Sequence, residues 1–201
     1  MKNIFSVKSA IKSFNSTLRI EGDKSLSIRW ALLASQATGK SSAKNILISE
    51  DVLNTLKCLK ALGVNVKLNK NECVIKGLGI NGFKYKKRIT LNAGNSGTLA
   101  RLILGLLTHS KKNVKIIGDK SLSKRDFFRV IQPLEKFGAK FISNNNKLPI
   151  IIKGTNNPKP IKYTEDKGSA QCKTAVMLAS LNTEGTTIIK AKKSRNHTEL
   201  L

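Results

Sequence analysis

The chain repeats itself, and this limits the folds open to it more than any other feature. The segment GDKSLSIRWALLA, residues 22–34, returns after 72 residues as GNSGTLARLILGL (94–106). After a further 72 it returns as DKGSAQCKTAVML (166–178). In each copy a small polar turn leads to a basic residue and an apolar run, and Arg29, Arg101 and Lys173 fall in register. A second block, EDVLNTLKCLKALGVNV (50–66), matches RDFFRVIQPLEKFGAKF (125–141) at a shift of 75. Its third copy begins at SRNHTELL, residues 194–201.

The periodicity translates into elements. Val52, Leu53, Leu56, Leu59 and Leu62 are spaced as one face of a helix, which Gly63 is expected to cap. Residues 64–68 alternate as a half-buried strand does, Lys70-Asn71 reads as a turn, and 73–75 as the returning strand. Residues 43–48 and 114–117 read as the strands between the two helices of each unit. The expected fold class is therefore α/β, a domain of repeated units with pseudo-three-fold symmetry. The units cover about 22–92, 93–160 and 161–201, and the third stops at the start of its second helix. A four-residue helix does not nucleate alone, so the expectation is a truncated chain.

Charge enters next. With 37 Lys+Arg against 12 Asp+Glu the formal charge is +25. That balance raises a nucleic-acid partner as one hypothesis. The 30 lysines and 7 arginines are spread along the chain, however, and aromatics make up only 5%. A small anionic substrate uses the charge better, and no nucleic-acid partner is expected. No run of residues is long and apolar enough to suggest a membrane span. Cys58, Cys73 and Cys172 form neither a metal spacing nor a disulfide framework, which fits a reducing, cytoplasmic setting. With only His109 and His197, no metal site is expected. His109 is expected to end a helix as a cation facing its dipole, and His197 to help begin one.

Small-residue turns before helices suit anions, because free N–H groups and the helix dipole point at the ligand. Four such turns occur, at 22–25, 94–98, 118–121 and 168–171. GDKSLS stands at both 22–27 and 118–123, at different places in the repeat. Lys24, Arg29, Arg101, Arg125, Lys173 and Arg195 supply the cations for a phosphate or carboxylate pocket.

These motifs, in this order and spacing, resemble those of the enolpyruvyl transferase family, in its branch acting on shikimate 3-phosphate. The resemblance rests on GDKSLSIRWALLA, SEDVLNTLKCLKALGV, LNAGNSGTLARLILG, IIGDKSLSKRDFFRVIQPLEKFGA, GSAQCKTAVMLASL and SRNHTE. It implies two similar domains of three βαβαββ units each. Residues 21–201 would belong to the first and residues 1–20 to the second. It further implies transfer of the enolpyruvyl group of phosphoenolpyruvate to the 5-hydroxyl of shikimate 3-phosphate, through a tetrahedral intermediate and with release of phosphate. No cofactor is implied, and the complete protein would be a monomer.

The resemblance also assigns residues. It implies that Lys24, Ser25 and Arg29 hold shikimate 3-phosphate, with Lys24 catalytic and also touching phosphoenolpyruvate. Asn95, Gly97 and Arg125 would hold phosphoenolpyruvate. Ser169, Ala170 and Gln171 would hold the shikimate phosphate and ring, with Gln171 reaching phosphoenolpyruvate and Arg195 on the shikimate side. The small residue at Gly97 would leave room for glyphosate, competing with phosphoenolpyruvate. The second domain would supply an aspartate, a glutamate and further cations.

Two positions depart from the family pattern: Asp126 where proline is usual, and Asn196 where aspartate is usual. A carboxylate at Asp126 is expected to weaken the pull of Arg125 on an anion. The related transferase acting on UDP-N-acetylglucosamine remains an alternative. It calls for Asn where Ser25 stands, and for a reactive cysteine near the second unit that Cys58, Cys73 and Cys172 do not provide. A basic nucleic-acid-binding domain is the alternative from another class.

Overall fold

A computed structural model of the chain describes residues 6, 8–10, 12–13, 15–86, 88–192 and 198. The first unit runs α1 (Lys24–Gln36), β1 (Thr38–Ala43), α2 (Glu50–Ala61), β2 (Asn65–Asn69) and β3 (Glu72–Leu78). The second runs β4 (Arg88–Asn92), α3 (Gly97–Leu107), β5 (Asn113–Ile117), α4 (Phe128–Lys136), β6 (Lys140–Asn144) and β7 (Lys147–Lys153). A 3-10 turn, Leu122–Lys124, precedes α4. The third contributes β8 (Lys162–Glu165), α5 (Ala170–Ser180) and β9 (Ile188–Ala191). Arg195, Asn196, His197 and most of the third copy of the second block lie outside the described residues.

The sheets follow the repeat. One has the order β1-β3-β2, a second β4-β5-β7-β6 and a third β8-β9. The strand β4 joins β5 in parallel, and β8 joins β9 in parallel, each pair bridged by a helix. Among the described residues the second and third units are thus each led by a strand, β4 and β8. β4 falls in the stretch that the sequence spacing groups with the first unit, but its ladder partner is β5.

The expected helix over the Val52–Leu62 pattern is α2, with Val52, Leu56 and Leu59 buried. Gly63 follows it at φ +89°, and its N–H donates to the Lys60 carbonyl at 3.0 Å, the left-handed ending that glycine allows. The strand expected at 43–48 is displaced. β1 occupies Thr38–Ala43, paired antiparallel with β3 from Thr38↔Leu78 to Ala43↔Cys73. Its sequence, TGKSSA, has no apolar alternation, so the ladder with β3 defines it and side-chain pattern does not. Residues 44–49 instead connect to α2. Asn45 turns left-handed at φ 57°, and Ile46 donates to the Asn71 carbonyl at 2.9 Å.

The first helices of the units form the centre. In α3, Leu99, Ala100, Leu102, Ile103, Leu104 and Leu107 are essentially inaccessible. A helix apolar all round is one enclosed by protein. It packs on α5 and, less extensively, on α1. Gly105 lets α3 and α5 touch: a Cβ there would lie 2.3 Å from the Ala175 carbonyl oxygen. This packing carries the N-termini of α1, α3 and α5 to one end of the domain.

Candidate anion-binding site

Each of these N-termini is built by the same local device. Asp23 Oδ1 accepts from Leu26 N–H at 2.7 Å, Ser96 Oγ from Leu99 N–H at 3.2 Å, and Ser169 Oγ from Cys172 N–H at 3.2 Å. A side chain three residues ahead satisfies one orphan donor and leaves the others free. Between the three starts lies a cleft of about 250 Å³, lined by Ser25, Arg29, Thr98, Gly168, Ser169, Ala170 and Gln171. Five of the residues expected on the shikimate side are therefore together. Thr98 and Gly168, members of the 94–98 and 168–171 turns, join them, and the resemblance assigns neither residue a ligand. Thr98 follows Gly97 in the second turn, and Gly168 bends left-handed at φ 69° into α5.

Arg29 is 97% buried, being 3% exposed. Its Nη2 reaches Thr174 Oγ1 at 3.3 Å and its Nη1 the Ser25 carbonyl at 3.3 Å. Its Nε has no partner among the described residues. Burial lowers its pKa, with Asp23 opposing that shift. A buried guanidinium with an unused donor has the chemistry to hold an anion.

Beside the cleft is a second cluster. An ideal Cβ on Gly97 would lie 3.0 Å from Arg125 Nη1 and 2.7 Å from Arg101 Nη1. Asn95 Nδ2 donates to Asp119 Oδ2 at 2.6 Å, while Asp119 Oδ1 accepts from Leu122 N–H at 2.6 Å. The second GDKSLS copy thus repeats the aspartate-to-leucine N–H bond of the first, and it ties the 94–98 turn to the loop carrying Arg125. Those bonds, the one from Leu122 first, hold the Asp119 carboxyl below its ordinary range. Lys24 lies outside the cleft lining and bridges to Asp51 at 3.1 Å, with half its side chain exposed. The guanidinium of Arg125 makes no hydrogen bond or ion pair among the described residues. The Asp126 side chain and carbonyl are both engaged next to Arg125. Its Oδ1 accepts from Phe128 N–H at 2.7 Å, opening α4, and its carbonyl accepts from Arg101.

One further tie was not legible as a site feature. Glu165, at the end of β8, accepts from Ser169 N–H at 2.6 Å and pairs with Arg129, so it fixes the turn before α5. Lys173, in register with Arg29, is buried within α5. His109 corrects an expectation. It lies past the end of α3, buried, with Nε2 2.6 Å from the Ala179 carbonyl oxygen. Burial lowers its pKa, so it is neutral at pH 7 and not a cation facing the helix dipole.

The family sequence model described as EPSP synthase (3-phosphoshikimate 1-carboxyvinyltransferase) matches residues 8–201. The chain belongs to the EPSP synthase family. The 3-phosphoshikimate 1-carboxyvinyltransferase of Vesicomyosocius okutanii is 44% identical over 188 residues, or 93% of this chain. That of Streptococcus pyogenes serotype M4 is 41% identical over 186 residues, or 91% of it. The solved EPSP synthase of Acinetobacter baumannii superposes on 90% of the chain with a TM-score of 0.85 at 35% identity. The chain spans 43% of the length of those curated relatives and 42% of the solved chain. The α/β fold of repeated units is thus the EPSP synthase fold over this span. No described helix is long and apolar enough to cross a membrane.

Proposed function

We propose that this chain is the shikimate 3-phosphate-holding domain of a cytoplasmic enzyme of aromatic amino acid biosynthesis. That enzyme transfers the enolpyruvyl group of phosphoenolpyruvate to the substrate's 5-hydroxyl and releases phosphate. Residues 21–201 form this domain, and residues 1–20 belong to a second. The observation that carries the reading is the cleft between three helix N-termini, with Ser25, Arg29, Ser169, Ala170 and Gln171 on its walls. Helix dipoles, free N–H groups and a buried guanidinium favour a multiply charged ligand before any contact is counted.

Arg125, Asn95 and Gly97 receive phosphoenolpyruvate next to that cleft. Lys24, on the first residue of α1, is the proton carrier at the reacting centre, and its bond to Asp51 keeps the ammonium oriented. Arg195 completes the shikimate side. The reaction needs an acid for the methylene carbon and a base for the hydroxyl. Lys24 alone does not supply both, so the 201-residue chain has no turnover by itself.

The alternative acting on UDP-N-acetylglucosamine loses ground on the thiols. All three are buried, and burial pushes Cys58 up to about 11, far from a reactive thiolate. Titration calorimetry of the 201-residue chain tests the proposal. Saturable binding of shikimate 3-phosphate supports it. Absence of binding, with tight and steeply salt-dependent binding to generic duplex DNA, would replace it with the nucleic-acid reading.

A further inference from the structure

Arg101 is one of the more heavily engaged side chains near the cleft, yet it does not line it. Its Nη1 donates to Gln171 Oε1 at 3.0 Å and to the Gly97 carbonyl at 3.2 Å. Its Nη2 donates to the Asp126 carbonyl at 3.3 Å, and the guanidinium lies 4.8 Å from the centre of the Phe127 ring. One fork therefore joins the starts of α3 and α5 to the loop that carries Arg125.

The consequence falls on Gln171. A guanidinium has donors and no acceptor, so the amide must turn its oxygen toward Arg101. Its nitrogen then faces Thr98, and Nε2 donates to Thr98 Oγ1 at 3.0 Å. The hydroxyl of Thr98, used as an acceptor, keeps its own proton to give. The chain of bonds runs in one direction, from Arg101 to Gln171 to Thr98. What remains for the cleft is the second N–H of Gln171 and the O–H of Thr98, both donors. An amide free to flip would offer the same cleft a carbonyl oxygen, which repels an anion.

We propose that Arg101 is a positioning residue: by fixing the amide of Gln171 it makes that wall of the cleft donor-only, and so selective for the anionic substrate. The inference rests on the reading of the cleft as the shikimate 3-phosphate site. Asp126 and Phe127 hold the fork itself in place, and charge alone is not its contribution. A lysine would keep the charge and lose the planar fork that reaches three acceptors at once.

A double-variant cycle tests this on the 201-residue chain, with shikimate 3-phosphate affinity measured by calorimetry. Arg101→Met and Gln171→Ala are each expected to weaken binding about tenfold, and the pair no more than about twofold beyond Gln171→Ala alone. Losses that multiply to about a hundredfold would overturn the proposal, because Arg101 would then act independently of Gln171. Should Arg101→Met not fold, Arg101→Lys serves. It is expected to weaken binding in the native background and to have no further effect beside Gln171→Ala, and a loss in both backgrounds would overturn the proposal. If Gln171→Ala binds like the native chain, the cleft reading fails instead, and the nuclear magnetic resonance of the Gln171 side-chain amide decides the role of Arg101. Its two Nε2 protons are expected to be well separated and slow to exchange in the native chain. In Arg101→Met or Arg101→Lys they are expected to move to solvent-like positions; unchanged signals would refute the positioning role.

Discussion

Adding one methyl group at Gly97 separates the stability of this domain from its ligand chemistry. Gly97 is the first residue of α3 and takes no left-handed φ, so alanine fits the backbone and improves the helix. The gain is at most about 1 kcal/mol. The new Cβ would meet Arg101 Nη1 at 2.7 Å, Arg125 Nη1 at 3.0 Å and Leu122 Cδ1 at 3.6 Å. The two close atoms are the ends of long side chains, which move before the helix does. Of the two guanidinium groups displaced, Arg125 is the one expected to hold phosphoenolpyruvate, and Arg101 is the one bonded to Gln171. Overfilling a packed site typically costs about 1–3 kcal/mol, and each 1.4 kcal/mol is about tenfold in affinity. Gly97→Ala is therefore expected to unfold at the same or a slightly higher denaturant concentration. It is also expected to bind phosphoenolpyruvate about tenfold or more weakly when shikimate 3-phosphate is saturating, and glyphosate likewise. Equilibrium unfolding and competition titration give the two numbers. Unchanged ligand constants would refute the pocket, and a stability loss above about 2 kcal/mol would show that backbone yields and the arginines do not.

Gly105→Ala should do the reverse. The atoms nearest its Cβ are backbone atoms of Ala175, with the oxygen at 2.3 Å, so unfolding experiments should record a loss of about 1–3 kcal/mol. Arg29→Met should leave stability unchanged or raised, since it removes a charge whose pKa burial already lowers, while calorimetry should find shikimate 3-phosphate binding weakened at least about tenfold. His109 makes stability depend on pH. Its folded pKa is depressed below 6.5, so the unfolded chain binds the proton more readily. Its contribution is then complete above that value and is lost as pH falls through the folded pKa. Thermal melts at pH 7.5 and 5.5 should show this drop, and His109→Gln should reduce it.

What the sequence reveals follows from how local each determinant is. The helices α2 and α3 and the turn at Gly63 are written in spacing and glycine chemistry, and they stand where the pattern puts them. The convergence of Ser25, Arg29, Ser169, Ala170 and Gln171 follows from the repeat, which brings equivalent turns to one end. β1 is not local: TGKSSA becomes a strand because Glu72–Leu78 pairs with it. The neutrality of His109 depends on a carbonyl 70 residues away. Arg101 is visible in register with Arg29, but its hold on Gln171 requires α3 and α5 to be packed. The turn of Asp126 toward Phe128 is likewise set by the path of the loop, which no residue spacing reports.

The most direct test of the account is to map shikimate 3-phosphate onto the 201-residue chain by following every backbone amide during a titration. The account predicts saturable shifts concentrated at Ser25, Arg29, Thr98 and the 168–171 turn, the walls of the cleft between α1, α3 and α5. Lysines elsewhere on the surface should stay still. Shifts spread over those lysines and abolished by modest salt, with the cleft residues unmoved, would contradict it.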